Sequence, residues 1–181
     1  QLAGGLTTAH VKHGSANPIG GQNVYVKMRW GGLPTELMID NPPRTVKFAL
    51  GENPRRREGR YPDTRMGTYQ IIRDHFMAAK DYEAQWIEWQ QTGEGLPPRH
   101  DLRMEAILDI LDEEILISSH GYRQDEFLAL IRLAEEFDFR VHTLQHAVEA
   151  YKIAPELASG GVAAAVWSDW SSFKIEAYDA T

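Results

Sequence analysis

The sequence predicts an α/β fold, an incomplete (β/α)8 TIM-type barrel, on three observations. From residue 115 onward, buried-strand and amphipathic-helix patterns alternate. Five strand-like segments fall at a spacing that suits single-helix crossovers between parallel strands. The chain has 181 residues, whereas eight closed βα units take roughly 250. A hydrophobic content of 43% with five Trp is enough for one real core, so residues 1–181 are expected to form a single domain.

The first strand is expected at residues 6–11, followed by a Gly- and Asn-rich loop through Gly21 that must turn sharply. Residues 23–29 and 36–39 suggest a small hairpin or excursion, and 45–50 a second buried strand. Residues 64–91 carry Met66, Tyr69, Ile72, Phe76, Ala79, Tyr82, Trp86 and Trp89 at helical spacing, a pattern that reads as packing surface. Gly93 to Pro98 break it, and Asp101 is placed to cap a helix reaching Leu111. Strands then follow at 115–118, 139–144 and 162–166, with helices at 124–137 and 147–158 between them. Gly160 and Gly161 mark the last helix stop. Both ends are expected to be cut: Ala3-Gly4-Gly5 reads as a helix terminus with no helix before it, and a new helix is expected to open at Tyr178.

A formal charge of -7 and a pI near 5.5 argue against nucleic acid or an anionic membrane as the main partner, despite the cluster Arg55, Arg56, Arg57 and Arg60. No apolar run reaches the ~18 residues of a membrane span. Without Cys, any metal must be held by His, carboxylate or a modified Lys. The first residues show neither an initiator Met nor a signal-peptide pattern and leave the compartment open.

Functional groups of parallel α/β folds gather at the C-terminal ends of strands. Lys47, His120 and His146 stand there. Imidazoles at two neighbouring strand ends can face one point, as a divalent cation requires, although each His taken alone could equally cap a helix or bond within a loop. Tyr122 and Arg123 flank His120. Arg123 offers a fork for a substrate carboxylate or an ordinary helix-start ion pair with Asp125 or Glu126. The Gly20-Gly21 loop could bring backbone N–H groups to a ligand but lacks the Lys-Ser/Thr of a phosphate cradle. His10 and His13 have the wrong spacing for a His-x-His pair, and His75, His100 and His142 read as structural.

Five stretches, beginning at Ala3, Gly14, Lys47, His120 and Gln145, together resemble the amidohydrolase superfamily in its imidazolonepropionase-like and prolidase-like branch, in order and spacing as well as residues. That branch includes large bacterial proteins with an added propeller domain. The resemblance implies an internal fragment, about strands 2 to 7 of the barrel, with His120 and His146 as metal ligands after the fifth and sixth strands. It implies Lys47 as the fourth-strand lysine whose carboxylated form bridges two metals, with Glu52 the competing carboxylate. Tyr122 and Arg123 would bind substrate. Zinc, one or two ions, is the default metal, and a small peptide or amide the substrate. The first-strand His-x-His and the eighth-strand Asp would lie outside these residues; Asp169 follows the seventh strand and is taken as a mouth residue. On this reading the chain alone is nearly inactive and self-associates through open barrel edges. The alternative is a non-catalytic, barrel-derived binding or structural module.

Overall fold

The computed structural model describes residues 1–55 and 59–167. Arg56, Arg57, Asp169 and the helix expected from Tyr178 lie outside the described residues. The elements run β1 (Thr8–Val11), β2 (Ile19–Gln22), β3 (Val24–Lys27), α1 (Pro34–Leu37), β4 (Arg44–Ala49), α2 (Arg65–Thr92), α3 (Leu102–Leu111), β5 (Ile115–His120), α4 (Gln124–Phe137), β6 (Val141–Gln145), a 3-10 turn (Ala150–Ile153), α5 (Ala154–Ser159) and β7 (Ala163–Ala165).

The main sheet has the order β2-β4-β5-β6-β7, and β4 through β7 are parallel. Chain order and spatial order agree along those four strands, and α2, α3 and α4 all pack on one face. In-register neighbours of parallel strands point to the same side. The side carrying Val46, Phe48, Ile117 and Leu144 meets Ile72 and Phe76 of α2, Ile107 and Ile110 of α3, and Phe127 and Leu130 of α4 in one continuous core.

Three expectations require correction. Residues 8–11 do not join the main sheet but pair antiparallel with β3 as a separate two-stranded ribbon. The expected loop through Gly21 instead ends in β2, which pairs antiparallel with β4 through Ile19–Phe48 and Gln22–Val46. The reason is tertiary: β4 offers an open edge, and His13 accepts from the Gly21 N–H at 2.8 Å while its Nδ1 donates to the Gly14 carbonyl at 2.6 Å. That clasp uses Gly20, because a Cβ there would fall 2.0 Å from the His13 ring. Of the expected 36–39 arm, Glu36 and Leu37 belong instead to one helical turn, stabilised by the Glu36 carboxylate accepting from the Leu33 N–H at 2.7 Å, while Met38 bridges to Val26 and the Ile39 N–H donates to the Tyr25 carbonyl at 3.0 Å.

Elsewhere local chemistry sets the ends. Thr64 accepts from the Gly67 N–H to start α2, and Gly93 ends it in the left-handed conformation. Asp101 accepts from the Arg103 N–H to start α3. Tyr82 donates to Glu105 at 3.1 Å, and Trp86 stands edge-on to Trp89, so the aromatic stripe is packing surface between α2 and α3. The last helix begins later than residue 147, with Pro155, which has no N–H to donate, in its first turn; Gly160 and a left-handed Gly161 stop it.

Candidate functional site

The side of the main sheet away from the helices is polar. Thr45, Lys47, Ser118 and His120 all point there and are all buried, with Lys47 4% and His120 2% exposed. The β1–β3 ribbon reaches over this face. His10 bonds through Nε2 to Thr45 Oγ1 at 2.8 Å while its ring stacks on Tyr25, and Lys12 donates from Nζ to Ser118 Oγ at 2.8 Å.

His120 is the last residue of β5. Its carbonyl accepts from the Leu50 N–H at 2.9 Å, and Gln145 stands opposite it on β6. The following Gly121 lets Phe127 close in, since a Cβ would lie 2.5 Å from that ring. His146 comes one residue after β6. Continued extension would send its side chain to the helix face, but a φ of 58° turns the chain left-handed, a conformation His tolerates better than most residues. The ring consequently lies 5.1 Å, centroid to centroid, from that of His120. Two imidazoles sharing one tetrahedral zinc at Zn–N distances of about 2.1 Å have their centroids about 5 Å apart. The pair thus has the spacing to hold one cation.

Lys47 pairs in register with Ser118, two residues before His120 on the same face. The offset along the sheet is about 6.6 Å, within reach of a four-carbon lysine stem. Burial lowers the Lys47 pKa. Lys12 is brought down to about 8, first by burial and then by the Lys47 charge, and His10 to about 4 by burial, Lys12 and His142. Glu52 lies half-buried in the turn after β4, and its carbonyl accepts from the Arg55 N–H. Among the described residues, no group of three or more His, Asp or Glu side chains is arranged to hold a metal ion. What the structure brings together is two imidazoles, with an amine one strand away.

Tyr122 is buried and edge-on to His120 at 4.7 Å, with His146 at 6.3 Å, so it walls the pair. Arg123 grips Asp125 with its fork, Nε to Oδ1 at 2.8 Å and Nη2 to Oδ2 at 3.0 Å, while Arg65 pairs with Glu126. His13 takes the Gly21 N–H that a ligand would need. His75 bonds to the Ile71 carbonyl within its helix and His100 to Glu105. Two contributors are absent from the sequence reading. Lys12 meets Ser118 across 106 residues, which no local pattern signals. Glu149 accepts from the Gln124 N–H at 2.9 Å and so caps α4 from the loop that carries His146.

The chain matches no family model. It is 30% identical over 203 aligned residues to the amidohydrolase tasK of Hapsidospora irregularis, covering 99% of this chain and 21% of that protein. The crystal structure of an amidohydrolase from Thermotoga maritima MSB8 is similar with a TM-score of 0.87 at 38% identity, covering 99% of this chain and 47% of that one. The chain therefore spans about half the length of the solved relative and a fifth of the curated one. Both relatives are named amidohydrolases.

Proposed function

We propose that the chain is the metal-ligating middle of an amidohydrolase (β/α)8 barrel, about strands 2 to 7, and that the protein it serves hydrolyses an amide or peptide bond. The observation that supports this most directly is the pair His120 and His146, presented from adjacent parallel strands with centroids 5.1 Å apart. In this reading the two imidazoles hold a divalent cation, zinc by default and one or two in number, and Lys47 joins them as a carbamate, with Glu52 the competing carboxylate. When bound, the cation supplies Lewis acidity and an activated water.

The chain's own residues do the rest. Tyr122 fixes both rings from the side, and the polar face keeps Lys47 short of solvent, which favours the neutral amine that carboxylation needs. A carboxylate on a small peptide substrate would reach Arg123 by displacing Asp125. The His-x-His pair and the proton-shuttling Asp of the family would come from outside residues 1–181. Self-association belongs to the same proposal: among the described residues β2 and β7 are the edges of the main sheet, and unpaired strand edges recruit partners.

A non-catalytic module remains the second reading, favoured by the lack of a three-ligand group among the described residues. Zinc titration with metal analysis separates the two. We expect the chain to bind zinc and His120→Ala to weaken it by more than the roughly 10- to 100-fold that supporting outer-shell residues cost. His146→Gly, which keeps the left-handed backbone, should do the same. If both variants match the parent in zinc content and in melting temperature with zinc, the hydrolase reading fails and the module reading stands.

A further inference from the structure

We infer that Lys12 is a positioning residue for a carbamate on Lys47: held in place by Ser118, its ammonium is the counter-charge to which the carbamate is drawn. This rests on the reading of Lys47 as a carboxylated lysine.

The case begins with placement. Lys12 leaves the end of β1 and spans the polar face to donate to Ser118 Oγ at 2.8 Å, and Ser118 is the register partner of Lys47. Both lysines therefore lie on one side of the sheet, Lys12 bonded to the register partner of Lys47, and the Lys47 charge helps to lower the Lys12 pKa. Neither amine has a carboxylate ion-pair partner among the described residues. The other titratable groups of this region are His10, coupled to Lys12 and His142, and His120 on the same strand as Ser118. Two ammonium groups packed together in a poorly solvated place repel each other, and a fold normally avoids the arrangement or pairs it.

Carboxylation of one amine reverses the sign of the interaction. Lys47 ammonium first loses a proton to solvent. The Nζ lone pair then forms an N–C bond to the carbon of carbon dioxide, one C–O π pair moves onto oxygen, and a second N–H proton leaves to solvent. The product is an N-carboxylate of charge -1 in place of an amine of charge +1. Lys12 changes from a repelling neighbour into an attracting one, and Ser118 fixes its head beside the strand from which the carbamate projects. Lys47 is the amine so placed because it stands inside a strand on the face of His120, whereas the Lys12 head is already engaged by Ser118.

The test is a titration of the full chain with 13C-labelled bicarbonate at constant pH, with and without added zinc, reading the carbamate carbon by 13C NMR. Lys47→Met identifies the signal by abolishing it. We expect Lys12→Met to raise the bicarbonate concentration for half-occupancy roughly tenfold, the scale of one pKa unit of charge interaction, and Lys12→Arg to restore most of it. Ser118→Ala, which releases the Lys12 head, should produce a smaller shift in the same direction. Thermal melts confirm that each variant is folded. Identical titrations for the parent and Lys12→Met would overturn the role of Lys12 and leave Lys47 carboxylated. A loss that Lys12→Arg fails to rescue would assign Lys12 to packing and also overturn it. A parent chain with no Lys47-dependent signal in either condition would remove the carbamate itself, and Lys12's role with it.

Discussion

On the helix side of the main sheet, Val46, Phe48, Ile117 and Leu144 are sealed beneath α2, α3 and α4; on the other side Thr45, Lys47, Ser118 and His120 are as deeply buried but polar. The two sides reach the same exclusion from water by different means. Apolar groups need only fill space, and each gains from dispersion and from release of water. Polar groups must each find a partner, and the β1–β3 ribbon and its flanks supply several, with His10 of β1 and Asn23, just before β3, on Thr45, and Lys12, just after β1, on Ser118. Lys47 is the departure from that rule, buried with no carboxylate ion-pair partner among the described residues. The comparison teaches that one side is kept dry by packing and the other by polar partners brought from a distant segment.

The largest break in this contrast should come from the apolar side. Phe127, fully buried between α4 and the sheet, should cost about 3–5 kcal/mol on change to Ala, read as a lower urea midpoint at unchanged slope. Gly121→Ala tests the seam between the sides, since it drives a Cβ into Phe127 immediately after His120. Overpacking of that kind costs about 1–3 kcal/mol, and the variant should lose zinc affinity as well as stability. A loss of stability with unaltered zinc binding would show that His120 is positioned independently of the core beneath it.

The smallest effect is a pH dependence on the polar side. His10 has its pKa lowered from 6.5 to about 4, so it stays neutral when folded where the unfolded chain takes up a proton. The stability this contributes is present in full above pH 6.5 and is lost as pH falls from there toward 4. His10→Gln should flatten the melting temperature across that window relative to the parent. An unchanged slope would mean that other groups carry the acid sensitivity.

The elements that local chemistry decides were legible. The 3.6-residue spacing of Phe127, Leu130, Leu133, Ala134 and Phe137 defines α4, Asp101 starts α3, and Gly160 with Gly161 ends α5. The strands β4, β5 and β6 were legible from their apolar runs, and with them the strand-end positions of His120 and His146. What escaped depends on distant partners. The stretch Ile19–Gln22 contains two glycines and no alternating pattern, and only the edge of β4 makes it a strand. The His146 ring reaches its partner through one left-handed residue, which its spacing from Leu144 cannot announce. Lys12 is placed by Ser118, more than a hundred residues away.

Glu149 has a consequence for how the two histidines respond to change. It sits three residues after His146, yet its carboxylate holds the first free N–H of α4, the helix that begins four residues beyond His120, while its own N–H reaches the Tyr122 carbonyl at 3.3 Å. The two strand-end loops are thereby tied like adjacent rungs of a ladder. Movement at one histidine is transmitted to the other through main-chain atoms, so substitutions at the two positions should not act additively even in the absence of any bound ion.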